Sequence, residues 1–224
     1  METNKKRAYE QILLRFVGDN EFAPWTSDIF AIGDKNASTN GKTLVTTPKY
    51  MGCSDRSEKV KSIYPIKKEY KKTIGLSELK QALSKCPMVD CFDEIEECCE
   101  ACDRDGEVKA NYYYGGRTFI VHAKCPICGG DGVITKASKT PNGKKKLDYN
   151  KCVKIDSQYI GISFVEDMIF VAEKLSKSKI NIHPTNTKRP SYFSTIGEVE
   201  MIGACLLKHT ELENKTVFEI KTKD

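Results

Sequence analysis

The residues of this chain with the most specific chemistry are two pairs of cysteines in CxxC spacing, Cys99/Cys102 and Cys125/Cys128. A CxxC turn directs two thiolates at one point, and two such turns can close a tetrahedral shell around Zn²⁺. The four cysteines predict one structural zinc ion, because four sulfurs fill the shell and leave no position for a catalytic water. Two neighbours, Cys98 and His122, stay open as alternative ligands.

The segment between the two cysteine pairs has the pattern of a β-hairpin. Gly115-Gly116 suits a two-residue turn, which requires positive φ at both positions. Counting outward from this turn places Tyr112 opposite Phe119 and Glu107 opposite Lys124. This register brings the two CxxC turns together at the open end of the hairpin and gives the hairpin one apolar face.

The cysteine segment also contains a recognisable repeat. CPICGGDG at 125–132 matches CxxCxGxG fully, and CEACDRDG at 99–106 matches except that Arg104 stands at the first glycine position. The segment resembles the DnaJ-type zinc-binding domain, in which the glycines let backbone N–H groups approach the sulfurs. That domain has four repeats and two metals, so two repeats imply one metal. The HPD signature of a J-domain is lacking, and cochaperone activity is not implied.

Composition points to an intracellular protein. The chain has 224 residues, of which 39% are hydrophobic and 30% charged, and it contains ten cysteines. No apolar run approaches the roughly 18 residues of a membrane span, and no signal-peptide core follows the first residues. The six cysteines outside the two pairs lack regular spacing, which argues against a secreted disulfide framework. We therefore expect a cytoplasmic protein with reduced thiols and no membrane contact.

Charge differs in sign on the two sides of the cysteine segment. Residues 90–105 are mostly acidic and residues 136–154 mostly basic, within a net charge of +5. The candidates for phosphate contacts with DNA are five lysines of the basic side: Lys139, Lys144, Lys145, Lys146 and Lys151. A solvated charged face is the alternative interpretation.

Hydrophobic periodicity predicts an α+β fold, an antiparallel sheet with two or three helices that is interrupted by a zinc-binding β-hairpin insert. Helices are predicted at 5–17, at 76–85 and from Ser163, where Ser163 and Glu166 suggest a capping box. Strands are predicted at 28–32, 43–47, 133–136, 147–155, 179–183, 191–195, 199–207 and 216–220, with a turn at 140–143, a loop at 34–42 and a partly ordered linker at 55–70. Residues 1–87 and 136–224 are then the two halves of one domain, and 88–135 the zinc-hairpin insert.

The two flanks resemble a DNA sliding-clamp domain. VKIDSQYIGISFVEDMIFVAEKLSKSKINIHP at 153–184 and RPSYFSTIGEVEMIGACLL at 189–207 match a clamp's strand and helix, its two exposed strands and a final hydrophobic strand. The N-terminal helix and DIFAIGDKNASTNGKTLVTTP at 28–48 resemble the other half. Clamps have an alanine-threonine-aspartate-glycine turn there, whereas this chain has Ile32-Gly33-Asp34 and a longer loop.

The resemblance implies a non-enzymatic accessory protein of DNA replication or processing, with a clamp-like domain and a structural zinc hairpin. One such domain cannot encircle a duplex, which in that family requires six, so self-association or transient DNA contact is implied. The alternative is a protein-binding adaptor or inhibitor, of mobile-element or phage type, that uses the zinc hairpin as its interaction surface.

The sequence offers little for catalysis. His122, His183 and His209 fall on separate predicted elements, and no nucleophile elbow, Walker loop or dinucleotide fingerprint occurs. We therefore expect no enzymatic activity and no small-molecule substrate. The aromatic residues of the hairpin could either stack nucleic-acid bases or form the hairpin core: Tyr112, Tyr113, Tyr114 and Phe119.

Overall fold

The structure, a computed structural model, describes residues 2–18, 24–60, 72–156, 158–183, 191–204 and 212–222. The chain divides into two units. The main unit combines Met1–Pro87 with Leu147–Asp224, and the cysteine unit is Met88–Lys146. The cysteine unit ends at Lys146, whereas the insert was predicted to end at residue 135, because one long strand runs without a break from Val133 across this whole segment.

The helices all belong to the main unit within the described residues: α1 (Glu2–Arg15), α2 (Ser57–Val60), α3 (Leu76–Ser84) and α4 (Ile162–Lys174), with 3₁₀ turns at Pro24–Thr26 and Glu213–Lys215. In α4, Phe164, Met168 and Val171 recur at spacings of four and three and are buried, as the periodicity predicted. In the parts of the chain described, no helix has the length and apolar character needed to cross a membrane.

The strands, in chain order, are β1 (Phe30–Ile32), β2 (Lys35–Thr39), β3 (Thr43–Pro48), β4 (Lys72–Gly75), β5 (Met88–Cys98), β6 (Glu107–Tyr114), β7 (Arg117–Lys124), β8 (Val133–Leu147), β9 (Cys152–Ile155), β10 (Gln158–Gly161), β11 (Lys179–His183), β12 (Ser191–Ile196), β13 (Val199–Ala204) and β14 (Thr216–Ile220). The main unit has a seven-stranded sheet, β1-β2-β3-β13-β12-β11-β4, and a three-stranded sheet, β10-β9-β14. The cysteine unit has two two-stranded sheets, β5-β8 and β6-β7. Only β14 and β9 pair in parallel among the described registers, so the predicted α+β class is confirmed.

The seven-stranded sheet contains one pattern twice. Helix α1 precedes the meander β1-β2-β3, and helix α4 precedes the meander β11-β12-β13. The two meanders join through their last strands, because β3 pairs antiparallel with β13, with Thr46 opposite Glu200 and Thr43 opposite Gly203. The main unit therefore has an internal two-fold pattern around the β3/β13 pair.

The helices of the two repeats share one hydrophobic core. Ile12 of α1, Phe16 directly after this helix and Met168 of α4 are fully buried in the same cluster. Burial of each such side chain contributes about 1.5–3 kcal/mol. An ion pair joins the two helices, since Arg15 Nε lies 3.0 Å from Asp167 Oδ1. Burial raises the pKa of the Asp167 carboxyl above its ordinary value, although the Arg15 guanidinium acts in the opposite direction.

The loop predicted at 34–42 is wrong, because β2 occupies most of that segment. Three of its side chains, those of Asn36, Ser38 and Thr39, are polar but buried, and each of them has a hydrogen-bond partner within the unit. Asn36 Oδ1 accepts hydrogen bonds from Tyr50 N at 2.8 Å and Met51 N at 3.1 Å. Ser38 Oγ donates to Leu13 O at 2.7 Å. Polar residues that find such partners do not produce the apolar alternation from which strands are predicted.

Three further local predictions differ from the structure. Helix α4 starts at Ile162, directly after the end of β10. Gly161 occupies the N-cap position and makes no side-chain hydrogen bond there, so the predicted capping box at Ser163 is wrong. Strand β8 runs without interruption through 140–143, where a turn was predicted. The strand predicted at 147–155 is divided between the end of β8 and β9. Of the predicted linker, α2 covers 57–60, and 61–70 lies outside the described residues.

Replacing Asn36 by alanine is expected to destabilise the main unit by about 2–4 kcal/mol, because two backbone N–H groups lose their buried acceptor. Urea unfolding followed by the fluorescence of Trp25, the lone tryptophan of the chain, measures this change. The exposed Asn150 supplies the control, since Asn150→Ala should shift stability by less than about 0.5 kcal/mol. Equal midpoints for Asn36→Ala and Asn150→Ala would contradict the role assigned to Asn36.

Candidate metal centre

The metal centre predicted from the CxxC spacing lies where the two sheets of the cysteine unit meet. Strand β5 leads into it and β8 leaves it, while the β6/β7 hairpin lies between the two CxxC turns. The hairpin has the predicted register, with Tyr112 opposite Phe119 and Glu107 opposite Lys124. Gly115-Gly116 forms the turn with φ of 58° and 74°, as expected for two left-handed positions.

The four sulfurs converge with the geometry that one ion requires. Cys99 Sγ lies 3.7 Å from Cys125 Sγ, and Cys102 Sγ lies 3.7 Å from Cys128 Sγ. All four sulfurs lie within 4.8 Å of one another. A tetrahedral ion with metal–sulfur bonds of about 2.3 Å places its sulfurs about 3.8 Å apart. The four thiols are therefore arranged to hold a metal ion.

The centre is enclosed by the unit's own hydrophobic side chains. Cys99 and Cys125 are completely buried, and Cys102 and Cys128 are 7% and 9% exposed. Val108 of β6 and Ile134 of β8 pack against this cluster. Within 88–146, a segment that the structure describes throughout, this cluster is the hydrophobic core.

The thiols differ in acidity because their hydrogen bonds differ. Burial raises the pKa of Cys102 to about 12. Burial also raises that of Cys128, but the N–H groups of Gly130 and Gly132 and the neighbouring thiols outweigh it and bring the pKa to about 7. Gly132 N donates directly to Cys128 Sγ at 3.2 Å. One thiolate thus forms readily, whereas four adjacent thiolates require a bound cation to compensate their charge.

The two repeats interlock through the last glycine of each. The carbonyl of each of these glycines accepts the N–H of the first cysteine of the other repeat, with Cys125 N 2.7 Å from Gly106 O and Cys99 N 3.0 Å from Gly132 O. A Cβ on Gly106 would lie 2.2 Å from Gly130 O, and a Cβ on Gly132 would lie 2.2 Å from Arg104 O. This close approach of the two backbones explains why both repeats end in glycine. The spacing of the cysteines alone does not reveal the contact.

Arg104, the departure from the repeat, adopts the conformation of the glycine it replaces. Its φ is 71°, a left-handed value that costs a side-chain-bearing residue about 1–2 kcal/mol. Its Nε lies 2.7 Å from the sulfur of Cys98. Cys98 is exposed and does not belong to the cluster of four, so Cys99 is the cysteine that the geometry selects.

His122, the other alternative ligand, lies away from the sulfurs. Its Nδ1 is 3.7 Å from Glu107 Oε2 on the neighbouring strand, and both side chains are exposed. His183 lies on β11 of the main unit, and His209 lies outside the described residues. Among the described His, Cys, Asp and Glu residues, the four cysteines are the group close enough to hold an ion.

The acidic and basic runs of the sequence form the two strands of one ribbon, β5 and β8. Lys136 Nζ lies 2.7 Å from Glu97 Oε2. Asn142 Nδ2 donates to Asp93 Oδ1 at 2.7 Å, and Lys145 Nζ lies 3.9 Å from Asp90 Oδ1. The residue numbers rise along β8 as those of the partners on β5 fall, so the two strands of the ribbon are antiparallel. The opposite charges on either side of the cysteines are the signal in the sequence for this pairing.

The five candidate DNA-binding lysines fall in two units. Lys139, Lys144, Lys145 and Lys146 lie exposed on β8, whereas Lys151 is half-buried in the main unit before β9. Lys145 lies next to Asp90 on β5, so this carboxylate partly compensates the positive charge of the triplet Lys144–Lys146. Exposed pairs of this kind contribute at most about 1 kcal/mol, which leaves the lysines accessible to a stronger anion.

Comparison with known proteins gives a limited result. No family model matches the sequence, and no curated protein matches it. Among solved structures, the DnaN sliding clamp of Bartonella birtlesii bound to griselimycin has a TM-score of 0.46 at 8% identity, over 92% of this chain and 64% of that one. The sliding clamp of Bacillus subtilis has a TM-score of 0.45 at 11% identity, with the same coverage. This chain thus spans less than two thirds of these clamps, and TM-scores below 0.5 establish neither family nor function.

Replacing Gly132 by alanine is expected to disrupt the cysteine cluster, because the new Cβ would overlap the carbonyl of Arg104. Gly129 is a matched control: its φ of +68° is close to the +73° of Gly132, but a Cβ there meets nothing within 4 Å. The reaction rate of the cysteines with a thiol reagent measures the effect. Gly132→Ala should expose the four thiols, and Gly129→Ala should leave them protected. Equal protection in both variants would contradict the interlocking of the repeats.

Proposed function

We propose that this chain is a non-enzymatic accessory protein of DNA replication or processing, formed by a sliding-clamp-like main unit and a structural zinc module. The observation that carries the proposal is the duplicated helix and meander of the main unit, joined through β3 and β13. The sequence resemblance to a clamp domain implies two such halves. The strand order supports this resemblance, and this support does not depend on superposing the whole chain on a clamp. A fold alone does not define function, so DNA contact has to be tested directly.

Zinc is the metal that the cysteine unit fits best. Tetrahedral four-sulfur sites built from paired CxxC turns are typical of structural zinc, and the sulfur separations agree with zinc–sulfur bonds. The ion would supply the charge that four thiolates need and would hold β5, β8 and the hairpin together. With four sulfur ligands it would have no position for substrate, which fits a structural role.

DNA contact would use the exposed lysines of β8 and Lys151 of the main unit. Ammonium groups that neutralise phosphates release counterions, so the affinity falls steeply as salt rises. One clamp-like main unit does not enclose a duplex, and the proposal therefore includes self-association or transient binding. The partners are DNA and further copies of the chain.

Purified protein is expected to contain about one zinc ion per chain, and Cys125→Ser is expected to lose it because a ligand of the closed shell is removed. Elemental analysis of the metal gives both the identity and the stoichiometry. Cys98→Ser and Cys91→Ser are matched controls, since these sulfurs lie on β5 outside the cluster of four. Zinc loss in Cys98→Ser together with full zinc content in Cys125→Ser would refute the assigned ligand set.

The variant Lys144→Gln/Lys145→Gln/Lys146→Gln is expected to weaken duplex DNA binding by about tenfold or more at low salt. Fluorescence anisotropy at about 50 mM and about 200 mM salt also gives the slope of log affinity against log salt concentration. This slope should become less steep by up to roughly three in the variant, because up to three phosphate contacts are lost. The control removes three exposed lysines of the main unit: Lys42→Gln/Lys85→Gln/Lys179→Gln. Absence of salt-sensitive binding by the wild-type protein would reject the proposed DNA contact. Equal losses in both variants would reject the triplet as the contact site.

A further inference from the structure

The β6/β7 hairpin is mostly exposed. Every residue of β7 is exposed, and β6 alternates between exposed and half-buried positions before its last four residues, which are exposed. The hairpin nevertheless contains large hydrophobic side chains that are open to solvent: Tyr112, Tyr113, Tyr114, Phe119, Ile120 and Val121. The hairpin aromatics are therefore not core residues, which was one of the two interpretations of the sequence. Four of them lie on one face of the hairpin by its register, namely Tyr112, Tyr114, Phe119 and Val121. An exposed apolar face of this kind is typical of an interaction site.

One face of this hairpin presents flat aromatic rings in a row. Tyr112 and Tyr114 point to the same side of β6, and their rings are nearly parallel, with an interplanar angle of 8° and centroids 6.4 Å apart. Phe119 lies directly across from Tyr112 on β7. These three rings are 56%, 71% and 46% exposed, in the order Tyr112, Tyr114, Phe119. The face thus offers planar π surfaces for a planar ligand.

The charge of the hairpin selects the kind of ligand. Residues 107–124 carry the cations Lys109, Arg117 and Lys124 against one carboxylate, that of Glu107. Arg117 lies directly across from Tyr114, beside the row of rings. A second copy of this positively charged hairpin would be repelled, whereas a polyanion would be attracted. An anion with accessible planar groups satisfies both the charge and the rings.

We infer that the face formed by Tyr112, Tyr114, Phe119 and Arg117 binds single-stranded nucleic acid. Unpaired bases stack on the rings, and Arg117, which lies on the same face, contacts phosphates. A duplex is a poor ligand for this face because its bases are stacked on each other. The inference rests on the proposed DNA-related function, but it concerns a different surface and a different form of the nucleic acid.

The cysteine centre gives this face its rigidity. The last hairpin pair, Glu107 opposite Lys124, directly precedes Cys125, whose N–H is bonded to Gly106 O at 2.7 Å. An isolated two-stranded hairpin is marginally stable in water. Fixing its base therefore lowers the entropy lost when the rings bind a strand.

The test measures anisotropy of a labelled oligothymidine of about twelve nucleotides and of an abasic strand of the same length, which keeps the phosphates and removes the bases. Wild-type protein is expected to bind oligothymidine at least tenfold more tightly than it binds the abasic strand. Tyr112→Ala/Tyr114→Ala should lose roughly ten- to hundredfold in affinity for oligothymidine. Tyr112→Phe/Tyr114→Phe keeps the ring faces and should stay within about twofold of wild type. Unchanged zinc content in both variants confirms that the hairpin base is intact.

Equal affinity for the two strands, or unchanged oligothymidine binding in the alanine variant, would overturn the inference. Loss of a dimer in the alanine variant, without any strand binding by wild type, would also overturn it and assign the face to protein association. Duplex binding that depends on Lys144–Lys146 is measured separately. The inference can therefore fail while the proposed function stands, or hold while the duplex contact fails.

Discussion

The convergence of four buried thiols on one point is the constraint on which the cysteine unit depends. Outside this cluster, its strands form thin two-stranded ribbons with mostly exposed side chains, so no other hydrophobic core holds residues 88–146 together. Four thiolates within 4.8 Å repel one another unless a cation shares them. The interlocked glycines add a steric condition, because each repeat closes only against the backbone of the other.

The main unit accommodates this inserted segment at little cost. Asp148 N donates to Pro87 O at 3.0 Å, so the chain leaves and re-enters the main unit at adjacent points. The buried thiol of Cys86 lies 3.8 Å from the carbonyl of Asp148 at the same place. Loop-closure entropy grows only slowly with loop length, so an insert whose two ends lie side by side adds little to the cost of folding the main unit. The duplicated helix and meander can then form from segments that the insert separates in sequence.

Charge has three different uses in this chain. Arg15 and Asp167 connect the helices of the two repeats within the main unit, where the Arg15 guanidinium opposes the rise that burial causes in the pKa of Asp167. Along β5 and β8, opposite charges align two strands that are exposed on both faces, which favours one register of the ribbon. On the hairpin, three cations exceed the single carboxylate, and one of them, Arg117, lies exposed beside the aromatic rings. Net charge alone would have shown none of these arrangements.

The sequence by itself determined the local features. The CxxC spacing identified the four clustered cysteines, the Gly115-Gly116 turn fixed the hairpin register, and the apolar stripe located α4. These features follow from short-range geometry, which residue type and spacing encode directly. Only the tertiary structure decided that β2 is a buried polar strand, that β3 joins β13, and that Cys98 is left out of the cluster. Each of these depends on partners distant in sequence, such as Tyr50 for Asn36, and local patterns carry no information about such partners.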